Sequence, residues 1–338
     1  MAYRLSQLLD AIWYRGHPLK WALWPIGRLF QWAVRLRRAL YRAGITKVIT
    51  AGVPVIVVGN ISVGGTGKTP CVAWLARELT RRGFTVGIVS RGYGGRAKQW
   101  PQHVGPDSDP DLLGDEAVLL ARGTACAVVA GPDRVAAVEM LRRDSGVDVV
   151  LSDDGLQHYR MDRAMEIAVI DGERGLGNGL CLPAGPLREP AARLQEVDAI
   201  VVNGGRWPDR QVFRAALVAT GAYRVGDGRR ETLDTFRKTP VHAVAGIGHP
   251  QRFFALLAGE GLDVLPTPLM DHAKIRAEQL EFGDPYPVMI TEKDAVKCHR
   301  IAHRNVWCVT VEMRFFDHGG ERLMDLVMRR LDEGTRAQ

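Results

Sequence analysis

VPVIVVGNISVGGTGKTP, residues 53–70, joins a β-branched apolar run to a glycine-rich turn and a proline. A run of Val and Ile without polar alternation reads as a strand buried on both faces, as parallel strands are. Gly64, Gly65, Thr66 and Gly67 form a turn whose backbone N–H groups can face phosphate oxygens. Lys68 then reaches the β- and γ-phosphates, and the Thr69 hydroxyl is a Mg²⁺ ligand. Pro70 suits the first turn of a helix, predicted to run to about residue 82. Ser62 stands where the usual pattern has glycine, and the Gly-Gly-x-Gly-Lys-Thr run compensates for it. Strand, loop and helix in this order predict an α/β, P-loop NTPase-like domain with a mostly parallel sheet that binds a nucleoside triphosphate.

Downstream, residues 147–152 (VDVVLS) end in Asp153-Asp154-Gly155-Leu156-Gln157-His158. An apolar strand that terminates in carboxylates is a Walker B arrangement, and in a parallel sheet its carboxyl end lies beside the phosphate loop. Between the two motifs lie Ser90-Arg91-Gly92-Tyr93-Gly94-Gly95-Arg96, a flexible basic loop able to fold over an anion, and Gly114-Asp115-Glu116. Those two acids stand at a predicted helix start, where a carboxylate is either a cap or dipole partner or a catalytic group. Residues 183–190 (PAGPLREP) form a proline-stiffened loop that holds Arg188 and Glu189 where they can contact phosphate or metal.

The chain is basic, with 45 Lys+Arg against 38 Asp+Glu, but the excess is local. Residues 1–47 carry nine basic side chains and the single acid Asp10, leaving 36 basic and 37 acidic residues in the remaining 291. A near-neutral body excludes a nucleic-acid-binding role. The basic segment also holds Trp13, Trp21, Trp24 and Trp32, yet no uncharged apolar run long enough to span a bilayer. Arg28, Arg35 and Arg42 recur at seven-residue spacing, and Leu19, Leu23, Ile26, Phe30, Ala33 and Leu40 supply apolar surface. Arg37 falls off the basic face and has to snorkel. The expectation is an amphipathic helix on an anionic membrane surface, with a helix packed on the protein's own core as the alternative. Five widely spaced cysteines without a Cys-x-x-Cys pair speak against a disulfide framework or zinc site. The expected organisation is a membrane helix (1–47), a P-loop kinase core (48–205) and a smaller second α/β lobe (206–338).

These motifs, with GPDR at 131–134, AGIGHPQRFF at 245–254, Asp271-His272 and TEKDAVK at 291–297, resemble the tetraacyldisaccharide 4′-kinase family almost end to end. The resemblance implies ATP- and Mg²⁺-dependent phosphorylation of the 4′-hydroxyl of tetraacyldisaccharide 1-phosphate, a lipid A precursor. It implies work at the cytoplasmic face of a bacterial inner membrane, as a peripheral protein with no obligate protein partner. It implies that Asp115 is the base, with His272 as its charge partner, and that Lys68 and Thr69 keep their phosphate and metal roles. Asp154 is then the metal-side carboxylate, with Glu189 a further candidate. Arg91, Tyr93, Arg134, Asp153, Gln157 and Arg188 are substrate or phosphate contacts. Because Asp115 and His272 fall in different lobes, lobe closure is expected to assemble them. The competing readings are a soluble P-loop kinase for a small metabolite and a membrane-recruited regulatory ATPase; Val63, standing where such ATPases carry a second lysine, disfavours the latter.

Overall fold

The computed structural model describes residues 2–208, 211–270, 275–298 and 305–336. Its strands are β1 (Val55–Gly59), β2 (Val86–Ser90), β3 (Gln102–Val104), β4 (Ala127–Ala130), β5 (Val149–Asp153), β6 (Met165–Asp171), β7 (Ala199–Asn203), β8 (Phe213–Arg224), β9 (Arg230–Glu231), β10 (Val241–Ala245), β11 (Val264–Pro268), β12 (Val288–Thr291) and β13 (Val306–Phe315). The helices are α1 (Ala2–Tyr14), α2 (Leu19–Arg42), α3 (Lys68–Arg81), α4 (Pro110–Leu113), α5 (Asp115–Gly123), α6 (Arg134–Ser145), α7 (Pro250–Gly259), α8 (Glu292–Lys297) and α9 (Gly319–Arg336).

All the strands join one sheet, ordered β11-β10-β12-β13-β8-β7-β6-β1-β5-β2-β4-β3, with β9 beside β8. Two parallel blocks meet at the antiparallel β8/β13 pair. The mostly parallel α/β architecture expected from the phosphate-loop segment is therefore present, and β1 is buried at every position. Register explains the shape. Asn203, the end of β7, pairs with Ala215 near the start of β8, while Thr291, the end of β12, pairs with Val309, which faces Ala222. The carboxyl ends of the two blocks consequently point toward each other, and a two-stranded ribbon from Ala215 to Ala222 spans the gap. Ligands bind outside the carboxyl ends of parallel strands. Here two such edges face one space.

Helices cover both faces of the P-loop block. On one, α3, α5 and α9 bury Leu75, Leu79, Val118, Leu120, Leu323 and Val327 against β1, β2 and β5. The C-terminal helix, although last in the chain, thus lies on the core of the phosphate-loop half. On the other face α6 packs Val138 and Leu141 against Val57, Val129 and Val150.

The N-terminal helices dock on the second face, beside residues 181–184. Trp13 Nε1 donates to the Pro183 carbonyl at 3.0 Å, and Asn178 Nδ2 donates to the carbonyls of Ile12 and Ala184. Gly27 is the close-approach point of α2. A Cβ there would lie 3.0 Å from the Cys181 carbonyl oxygen and 3.1 Å from Ala184 Cβ. The apolar residues of α2 do not form one surface as expected: Leu23 and Phe30 turn inward, whereas Ile26 and Ala33 turn outward. The outward stripe is Trp21, Ile26, Leu29, Trp32 and Leu36, with Trp32 61% and Leu29 66% exposed. Arg37 does not snorkel outward; its guanidinium lies 5.5 Å from the Tyr159 ring centroid. Arg38 and Arg42 both pair with Glu196, the latter at 2.6 Å. No helix is long and apolar enough to cross a membrane among the described residues. Gly27→Leu should force α2 off its seat at a cost of about 1–3 kcal/mol, read as a lowered thermal midpoint, with Gly27→Ala milder.

Candidate active site

The two facing strand edges enclose a cavity of about 940 Å³. Its walls are the phosphate loop, the ends of β5 and β7, Ile247, Gly248, His249, Arg252 and Phe253 at the start of α7, and Phe30, Val34 and Arg37 from α2. Ala216, Leu217, Val309 and Val311 of the ribbon form part of its lining.

Gly67 caps α3 in a left-handed conformation (φ 95°) that a β-carbon disfavours, and the loop before it curls over the end of β1. Added β-carbons on Gly64 and Gly65 would meet nothing within 4 Å, so the cradle faces open space as a phosphate site must. The PAGPLREP segment is tied to this loop by backbone bonds: Val63 N donates to the Pro186 carbonyl at 2.9 Å and Arg188 N to the Ile61 carbonyl at 2.7 Å. That pairing aims Arg188 at the end of β5. Its Nη1 donates to both oxygens of Asp154, at 3.0 and 2.8 Å, and Lys68 Nζ lies 3.7 Å from the same carboxylate.

The two adjacent aspartates differ sharply. Burial works against ionisation of Asp154, but Lys68 and Arg188 overcome it and hold the carboxyl down at about 2. Asp153 is pushed up to about 7, by burial first and then by the negative charge of Glu116. Thr69 Oγ1 donates to Asp153 Oδ2 at 3.4 Å, whereas Asp153 Oδ1 is buried with no hydrogen-bond partner. An orphaned carboxylate oxygen beside a loop threonine suits a divalent cation, which would supply the missing partner and favour ionisation. Residues Thr69 and Asp153 therefore fit Mg²⁺, with Asp154 adjoining them. Glu189 is completely buried, and its oxygens accept from Gln157 Nε2 at 2.7 Å and from the Tyr159 hydroxyl. It thereby anchors Gln157 and Tyr159, which line the cavity.

Arg134 is 2% exposed and donates to the Asp153 carbonyl at 2.8 Å and the Gly131 carbonyl at 3.1 Å; burial pushes it down to about 10. It braces the carboxylate-bearing strand end and also lines the cavity. Arg91 and Tyr93 are exposed at the rim. Asp115 is 6% exposed at the start of α5, 3.8 Å from Lys297 Nζ, while Glu116 lines the cavity and pairs with Lys293 at 3.1 Å. His272 lies outside the described residues. Sequence reasoning passed over Lys293 and Lys297, although their i, i+4 spacing in TEKDAVK puts both on one side of α8. It also passed over Asn203, whose amide donates to the Thr66 carbonyl at 3.0 Å; a lone Asn at a strand end carries no pattern.

The sequence matches the family model for tetraacyldisaccharide-1-P 4′-kinase over residues 19–331. The chain belongs to that family. A tetraacyldisaccharide 4′-kinase from Alkalilimnicola ehrlichii is 54% identical over 309 residues, covering 90% of this chain and 92% of the relative. Another from Nitrosococcus oceani is 48% identical over 324 residues, covering 96% and 95%. The crystal structure of LpxK from Aquifex aeolicus in complex with ATP superposes with a TM-score of 0.79 at 27% identity, covering 93% of this chain and 99% of that one. The chain is thus an ATP-dependent kinase of that family.

The charge distribution of this kinase predicts its acid response. A carboxyl at about 2 when folded and 3.8 when free adds stability that is complete above the free value and is lost as pH falls toward 2. Arg188→Gln should raise the folded value toward the free one. Urea denaturation between pH 5 and pH 2 should then fall less steeply than in the parent, with a loss of about 1 kcal/mol at neutral pH.

Proposed function

We infer that the protein transfers the γ-phosphoryl group of ATP to the 4′-hydroxyl of tetraacyldisaccharide 1-phosphate, the reaction for which its family is named, at a membrane surface. The cavity carries this reading, because one continuous space joins the phosphate loop to the inner face of α2. An acceptor with its acyl chains in a bilayer needs such a path, and a soluble small metabolite does not. In this reading residues 1–47 dock on the cytoplasmic face of the inner membrane, 48–205 hold ATP with α9 packed on that half, and the rest of 206–338 closes over the acceptor.

Phosphoryl transfer requires positioning and charge neutralisation more than covalent chemistry. The amides of residues 64–69 cradle the β- and γ-phosphates, and Lys68 neutralises the charge that shifts toward the leaving oxygen. Thr69 and Asp153 would hold Mg²⁺, which supplies further neutralisation of the phosphate oxygens. Arg188, fixed by Asp154, faces the same space. Asp115 accepts the proton of the 4′-hydroxyl, with His272 as its charge partner, once closure of the lobes brings it to the acceptor; until then Lys297 Nζ lies 3.8 Å from its carboxylate. Glu116 already lines the cavity, so it supports a second assignment of the base.

Radiolabelled ATP and the purified lipid acceptor test the reaction, with label in the disaccharide as the expected product. Asp115→Asn should lower kcat by about 10²–10⁴, and a larger loss in Glu116→Gln would transfer the role to that residue. The outward stripe of α2 supports the membrane assignment. Trp21→Ser with Trp32→Ser should weaken sedimentation with anionic vesicles and leave the thermal midpoint unchanged, since both rings are largely exposed.

A further inference from the structure

The HPQR run at 249–252 belongs to the half of the molecule without a phosphate loop, yet it reaches the loop through two contacts. Arg252, in the first turn of α7, pairs through Nη1 with Asp171 Oδ2 at 3.3 Å, and its Nη2 donates to the main-chain carbonyl of Asn203 at 2.8 Å. His249 Nδ1 lies 3.7 Å from the same Asp171 oxygen. Asp171 and Asn203 are the last residues of β6 and β7, so one arginine holds two neighbouring strand ends. Asn203 is completely buried, and its side-chain amide donates to the carbonyl of Thr66. The approach leaves no room for error: a Cβ on Gly67 would fall 2.3 Å from Asn203 Nδ2.

The Thr66 carbonyl and the Gly67 N–H belong to one planar trans peptide and point in opposite directions. Holding the carbonyl toward Asn203 therefore aims the Gly67 N–H to the other side. With glycines at 64, 65 and 67, little else in the local chain resists a flip of that peptide.

We propose that Asn203 and Arg252 are positioning residues for ATP, a relay in which α7 fixes the end of β7 and Asn203 fixes the Thr66–Gly67 peptide in its phosphate-accepting orientation. Both act through Thr66 and Gly67, away from the transferring group. Loss of the relay weakens ATP binding without altering recognition of the lipid. The proposal rests on ATP occupying the glycine-rich loop, which Lys68→Ala tests separately.

Asn203→Asp, nearly isosteric, turns a carboxylate oxygen toward the Thr66 carbonyl; Arg252→Ala removes the other end of the relay. Each should raise both the Kd and the KM for ATP by about tenfold, with KM for the lipid within about twofold of the parent value. The double variant should bind ATP about as weakly as the worse single one, because the two act in series. ATP affinity within about twofold of the parent in folded Arg252→Ala, or independent multiplication of the two effects, overturns the proposal. If Asn203→Asp does not fold, Arg252→Ala decides the matter by its ATP affinity alone. A fall in the thermal midpoint with unchanged Kd for ATP would mark these contacts as merely structural and also overturn it.

Discussion

Two neighbouring carboxyl groups at the buried end of a strand cannot both carry charge unless cations are built around them. Asp153 ends β5 in that position and Asp154 follows it, and much of the site follows from the way the conflict is resolved. Asp154 adopts a left-handed backbone (φ 50°), uncommon for a residue with a side chain, and presents its carboxylate to Lys68 and Arg188. Asp153 keeps its proton up to near neutrality and holds one oxygen ready beside Thr69. The split leaves one ionised group held between two cations and one buried carboxyl whose Oδ1 has no hydrogen-bond partner.

The same constraint explains the loop of residues 183–190. Arg188 must come from outside β5, and the backbone bonds between residues 61–63 and 186–188 deliver it. The following residue, Glu189, is locked by Gln157, Tyr159 and Arg193. Tyr159 in turn packs against Tyr41 and Arg37 of α2. A line of contacts therefore runs from the Asp153–Asp154 pair to the helix that carries the exposed tryptophans, and the apolar residues of α2 are divided between its inner and outer faces.

What could be read beforehand was what is encoded locally. The phosphate loop and its flanking strand and helix depend on residues within about 30 positions of one another, and so does the carboxylate pair that ends an apolar run. β8 was not legible. Its FRAALVATGAYR is rich in Ala and lacks apolar alternation, and it becomes a strand because β7 and β13 supply partners on either side. Without β8 the way the two blocks face each other is invisible, and with it vanishes the reason for Arg252 to reach Asn203 or for Lys293 to reach Glu116. Arg134 shows the converse: its motif is plain in the sequence, but only the fold brings its guanidinium to two backbone carbonyls.

The ribbon from Ala215 to Ala222 carries a register irregularity between Thr310 and Val311, opposite Gly221 at φ 148°. Such a bulge is a local bend in an otherwise continuous ladder. The two halves are accordingly not beads on a flexible thread; they are joined by a hydrogen-bonded leaf with one bend in it. Because Leu217, Val309 and Val311 of that leaf also line the cavity, the place where the two halves join is at once one wall of the space between them.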